Sequence, residues 1–118
     1  MRAMSVEEAK LMRRPFSLSD RGRTFATRPR GAELRQELVA ATIEGDRVEL
    51  DLAGVLSVSY SFADEFIAAF VEEAHARNVT LSIQGASPEV SRVVERALAR
   101  RGVLGDVALL DGPLAVDR

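Results

Sequence analysis

Five consecutive stretches switch between strand and helix periodicity, and that alternation constrains the chain more than any other feature. "RVELDLAGV" (47–55) alternates into an apolar run ending at Gly54, the pattern of a buried strand. "SFADEFIAAFVEEAHARN" (61–78) sets Phe62, Phe66 and Phe70 on one line at i, i+4 and i+8 with Glu72, Glu73 and Arg77 mostly elsewhere, which predicts an amphipathic helix of about four turns. "VTLSIQG" (79–85) reads as a short strand and "DVALLDG" (106–112) as a last one. Between them, "SPEVSRVVERALARRG" (87–102) has Ser87 to cap, Pro88 in the first turn, Val90, Val93, Val94, Ala97 and Leu98 as a buried stripe, and Gly102 to stop it. Strands and helices in this order imply βαβ crossovers, hence an α/β fold whose inner strands are parallel and whose helices pack on the sheet.

Upstream the signals are shorter. "GAELRQELVAATIEG" (31–45) spaces Leu34, Leu38 and Ala41 as one helix face, with Gly45 where the helix should end. "RRPFSL" and "RTFATR" flank "SDRG", whose turn chemistry predicts an N-terminal hairpin adding an antiparallel edge to a mixed sheet. The expected domain spans 14–111, between an extension at 1–13, disordered or briefly helical, and a tail at 112–118.

A length of 118 residues suits one domain, and a composition 47% hydrophobic and 29% charged is that of a globular chain. No apolar run nears a membrane span and the start lacks a secretory signal, so the expected location is cytoplasmic. With no cysteine and only His75, thiolate and histidine-cluster metal sites are excluded, and no cofactor is expected. The net charge of −2 hides a division: nine Lys/Arg against four acids through Arg35, then seven against fourteen. Without an aromatic-rich stacking platform, this basic third is a weak sign of nucleic-acid binding, which is disfavoured.

Neither a Walker-type nor a dinucleotide glycine loop occurs. A receiver domain would need a lysine near its acidic pocket, whereas the only lysine is Lys10. Asp64 and Glu65, neighbours on a helix, point about 100° apart and read as first-turn acids facing the helix dipole. His75 near the end of the same helix reads as a surface cation, and Asp51 as a solvated or backbone-bonded carboxylate. Ligands and partners of α/β sheets meet loops beyond the strand ends, which singles out "SVSYS" (57–61).

Two stretches resemble the STAS domain of bacterial anti-sigma factor antagonists: "VELDLAGVLSVSYSFADEF" (48–66), like its strand, loop and helix, and "SIQGASPEVSRVVERALARRGVLGDVALLD" (82–111), like its following strand, helix and last strand. With "TFATRPRGAELRQEL" (24–38) upstream, the chain looks closer still to a STAS-like family of uncharacterised bacterial proteins. The resemblance implies a regulatory, non-enzymatic module that binds a histidine-kinase-type ATPase, which phosphorylates a loop serine in the antagonists. Aligned without gaps from Asp51 and Gly54, the family's loop Asp falls on Ser59, its phosphorylated serine on Tyr60, the next Ser/Thr on Ser61 and its Gly-Leu on Phe62-Ala63. Ser61, with Asp64 three residues on, reads as the helix cap, worth about 1 kcal/mol, leaving Ser59 and Tyr60 as exposed contacts. The candidate partner surface is therefore Ser57, Ser59, Tyr60, Ser61, Asp64 and Glu65 with the exposed side of the helix, and the candidate phosphorylation positions are Ser59, Tyr60 and Ser61. Two other readings stand beside it: an accessory subunit of an ABC-type transport ATPase, and a small enzyme or ligand binder using Asp51, Ser59 and Asp64.

Overall fold

The N-terminal segment joins the sheet without forming a hairpin. In the computed structural model, which describes residues 12–110, strand β1 (Arg13–Ser17) runs parallel to β3 (Arg47–Asp51), with Phe16 opposite Leu50. Strand β2 (Thr24–Phe25) runs parallel to β4 (Ser57–Val58), with Phe25 opposite Val58. Adding β5 (Thr80–Gln84) and β6 (Val107–Leu109) gives a four-stranded sheet in the order β1-β3-β5-β6, parallel throughout, and a separate pair β2-β4. The expected antiparallel edge is thus corrected. Its supposed turn is a 3-10 turn, Leu18–Arg21, in which Leu18 is fully buried and follows Phe16 into the core. Arg21 fastens that turn by donating to the Ser17 carbonyl at 3.0 Å and lying 3.9 Å over the Phe16 ring. The expectations for 1–11 and 112–118 lie outside the described residues, and Arg13 belongs to β1.

Each new strand of the large sheet is added to the same edge, and right-handed crossovers made in one direction place every intervening helix on one face. Helices α1 (Arg28–Ala41), α2 (residues 60–75) and α3 (Pro88–Arg100) accordingly lie side by side, α2 in the middle. Val48, Leu50, Leu81 and Ile83 are buried beneath them, while Arg47, Glu49, Thr80, Ser82 and Gln84 alternate onto the other face.

Helix α1 starts three residues before the expected Gly31, because the Thr27 hydroxyl accepts the Arg30 N–H. It buries Gly31, Leu34 and Leu38, and it ends at Ala41, which is exposed; Gly45 serves a later turn with φ 87°. A Cβ at Gly31 would stand 3.0 Å from the Phe62 carbonyl and 3.2 Å from the Phe66 nitrogen, so α1 and α2 meet backbone to backbone there.

Helix α2 contains what its periodicity conceals. Between α-helical Tyr60–Ala63 and Ala69–His75, residues Asp64–Ala68 form a π turn, marked by the bond from the Ala69 N–H to the Asp64 carbonyl. Phe62, Phe66 and Phe70 are buried as expected. The rings of Phe25, Phe62, Phe66 and Phe16 follow one another at centroid distances of 4.9, 5.5 and 5.8 Å, tying β2 and β1 to α2. Helix α3 matches its pattern: Ser87 Oγ accepts the Val90 N–H at 3.2 Å, Val90, Val94, Ala97 and Leu98 are buried with Val93 half-buried, and Gly102 (φ 74°) ends it. Among the described residues no helix is long and apolar enough to cross a membrane.

Candidate functional site

The connection from β3 to α2 is fixed at both ends. At its start the Asp51 carboxylate accepts the Ala53 N–H at 2.9 Å, the local bond expected of it, and Leu52 donates to the Gln84 carbonyl at 2.8 Å. A Cβ on Gly85, whose φ is 79°, would come within 2.6 Å of Asp51 Oδ1 and 2.8 Å of the Ala53 nitrogen, so only glycine lets this turn close on the β5 end. After Gly54, Val55 and Val58 go into the core, while between them Leu56 is 64% exposed and Ser57 faces solvent. Both outward residues are held by the backbone, since the Leu56 N–H donates to the Arg23 carbonyl at 2.8 Å and Ser57 pairs with Thr24 in the β2-β4 ladder.

The helix cap is Ser59, not Ser61. Its hydroxyl accepts the Phe62 N–H at 3.0 Å and donates to the Ala26 carbonyl at 2.9 Å, while its own N–H reaches the Phe25 carbonyl at 2.8 Å. Pairing of β4 with β2 fixes the backbone through Val58, so the helix begins at Tyr60, two residues earlier than the sequence suggests. Ser59 is therefore occupied rather than a free contact. Tyr60 is half-buried against the core and Ser61 sits half-buried in the first turn. What reads as a loop from Ser57 to Ser61 is a strand followed directly by a helix.

Asp64 and Glu65 do more than face a helix dipole. The π turn places them where arginines from both flanking elements converge. Asp64, 8% exposed, accepts from Arg101 Nε at 2.6 Å and Nη2 at 3.0 Å, and from Arg28 at 2.8 Å. Glu65 accepts from Arg35 at 2.6 Å and Arg28 at 3.1 Å; Arg101 also reaches Glu72 at 2.6 Å and Arg35 reaches Glu73 at 2.9 Å. The result is one alternating line, Glu72–Arg101–Asp64–Arg28–Glu65–Arg35–Glu73, laid across all three helices. Hydrogen bonds from Arg101 pull the Asp64 carboxyl down to about 2, against the opposing effect of burial and with help from Arg28. Arg35, then Arg28, lowers Glu65 in the same way, and Arg101 and Arg28 are raised in return.

The structure thus separates the predicted residues. Ser57 is accessible; Ser59, Asp64 and Glu65 are bound into the frame behind it, and the open side of α2 is confined to Glu72, Glu73 and His75. Leu56 and Arg23 are additions that sequence alone did not single out. Leu56 lies inside an apolar run, and its exposure depends on the β2-β4 pairing. Among the described arginines from 13 to 35, Arg13, Arg14, Arg21, Arg28, Arg30 and Arg35 each pair with an acid, and Arg23 does not. No group of three or more metal-ligating side chains occurs among the described residues.

Parallel strands feeding three helices on one face, with the junction at 52–59 leading into the central helix, define a STAS-like α/β domain. The chain belongs to the family described as a STAS-like domain of unknown function (DUF4325), whose family model matches residues 30–91, from the first turn of α1 to the first turn of α3. No curated protein and no solved structure matches the chain.

Proposed function

We propose that this chain is a non-enzymatic, cytoplasmic regulatory module that docks on a histidine-kinase-type ATPase through the surface at Leu56 and Ser57. The observation that carries the reading is Leu56, a large apolar side chain 64% exposed on a backbone that is hydrogen-bonded to Arg23 and cannot fold it away. A rigid apolar anchor beside a hydroxyl and an arginine that joins no ion pair among the described residues is the kind of contact that concentrates binding energy at an interface. It lies at the entry to α2, where the anti-sigma factor antagonists that this family resembles meet their kinase. In this reading Ser59 and the Asp64–Glu65 pair hold the surface in place and are not themselves contacts.

The test is a pull-down from the native host with wild-type protein and with Leu56→Asp/Ser57→Ala, both shown by circular dichroism to unfold at the same temperature. A histidine-kinase-type ATPase recovered with the wild type and reduced about tenfold or more with the variant supports the proposal. The same ATPase captured equally by the variant overturns the docking surface. A transport ATPase in its place would make the chain an accessory subunit.

A further inference from the structure

Among the described residues, arginine pairing is nearly complete in one part of this molecule and missing from one helix face. Helix α3 exposes Arg92, Arg96 and Arg100 at i, i+4 and i+8, a row about 12 Å long at helical rise. Among the described residues none of the three joins an ion pair, whereas Arg101, next in the chain, is bonded to Asp64 and Glu72. Two acids lie near the row: Glu95 is turned aside to accept the Ser91 hydroxyl at 2.8 Å, and Glu89 sits exposed in the first turn. Among the described residues, three cations of fixed spacing are left without an ion-pair partner on a chain whose net charge is negative.

We propose that the outer face of α3 docks an acidic helical segment of a partner protein, one whose carboxylates recur every four residues. Planar guanidinium groups bind carboxylates through two parallel N–H bonds, and a partner helix with the same repeat meets all three at once. Exposed Ala99 and half-buried Val93 beside the row allow close approach of a second helix. The same face suits the alternatives less well. A phosphate backbone would be set against Glu89 and Glu95 and would find no exposed aromatic ring for its bases. A membrane would find no large apolar side chain, because Val90, Val94 and Leu98 face the core. This inference does not depend on the Leu56 surface.

Titration of the isotope-labelled protein, followed by amide chemical shifts, tests it. The probes are an alanine-rich helical peptide with three glutamates at four-residue spacing, a scrambled peptide of equal composition, a single-stranded oligonucleotide and phosphatidylglycerol vesicles. The expected result is shifts confined to α3 with the patterned peptide, weaker binding of the scrambled one, and loss on adding salt. Arg92→Gln/Arg96→Gln/Arg100→Gln should weaken binding about tenfold or more at an unchanged melting temperature, while Leu56→Asp leaves it unaltered. As a second variant, Arg92→Glu/Arg96→Glu/Arg100→Glu should instead bind a peptide with lysine in place of glutamate. No α3 shifts at millimolar peptide, undiminished binding by the glutamine variant, or tighter binding of the oligonucleotide or vesicles would overturn the proposal.

Discussion

Ser59 makes three hydrogen bonds that join β2, β4 and α2 within one residue, through its N–H and both roles of its hydroxyl. Removing that hydroxyl uncaps the helix and orphans the Ala26 carbonyl, so Ser59→Ala should cost about 1–2 kcal/mol. Ser61→Ala, one position inside the first turn, should stay within about 0.5 kcal/mol. Urea denaturation of the two variants side by side checks which serine caps. The sequence points to Ser61, because it alone of the two has an acid three positions on, Asp64, ahead of the helix. What decides between them is the pairing of Val58 with Phe25, thirty-three residues away in the chain, and no local pattern registers it. Asp51 was legible for the opposite reason, since its bond to the Ala53 N–H is made within two residues.

Helices α1, α2 and α3 are held laterally by the alternating line of charges as well as by their apolar faces, and Asp64 is its most sensitive member. An unfolded chain binds a proton at Asp64 near its ordinary 3.8 and the folded one only near 2, so between these values the unfolded state carries more protons. The contribution is on the order of 2 kcal/mol, complete above about pH 4 and lost as pH falls toward 2. Denaturation midpoints measured from pH 6 to pH 2 should show Asp64→Asn less stable at pH 6 and flatter across that window, keeping the fall due to Glu65, whose carboxyl is also lowered. Long elements could be read from the sequence, α3 almost residue by residue, because cap, proline, stripe and terminal glycine agree there. The π turn could not, since phenylalanines four apart bury on one side with or without it. Strands β2 and β4, two residues each, are too short to show a period.

At the scale of the molecule every strand pair is distant in sequence: Phe16 lies beside Leu50, Leu50 beside Ile83, and Ile83 beside Leu109. An isolated peptide of residues 12–45 would lack both partners of its strands and should be unfolded by circular dichroism, whereas a true N-terminal hairpin would retain strand signal. The alternation of periods made the parallel sheet legible, but turn residues near Asp20 suggested a local reversal because they are equally at home in a 3-10 turn. The basic first third was visible too, and its purpose was not. Of the six arginines paired there among the described residues, only Arg30 finds an acid in the same third, at Glu33; the others reach Glu37, Asp46, Glu49, Asp64, Glu65 and Glu73. The two parts of the chain are therefore matched like key and wards. Recombination between relatives at a point near residue 36 would bring together arginines and acids that did not diverge in company, and such grafts would survive only where both parents kept the same pairs.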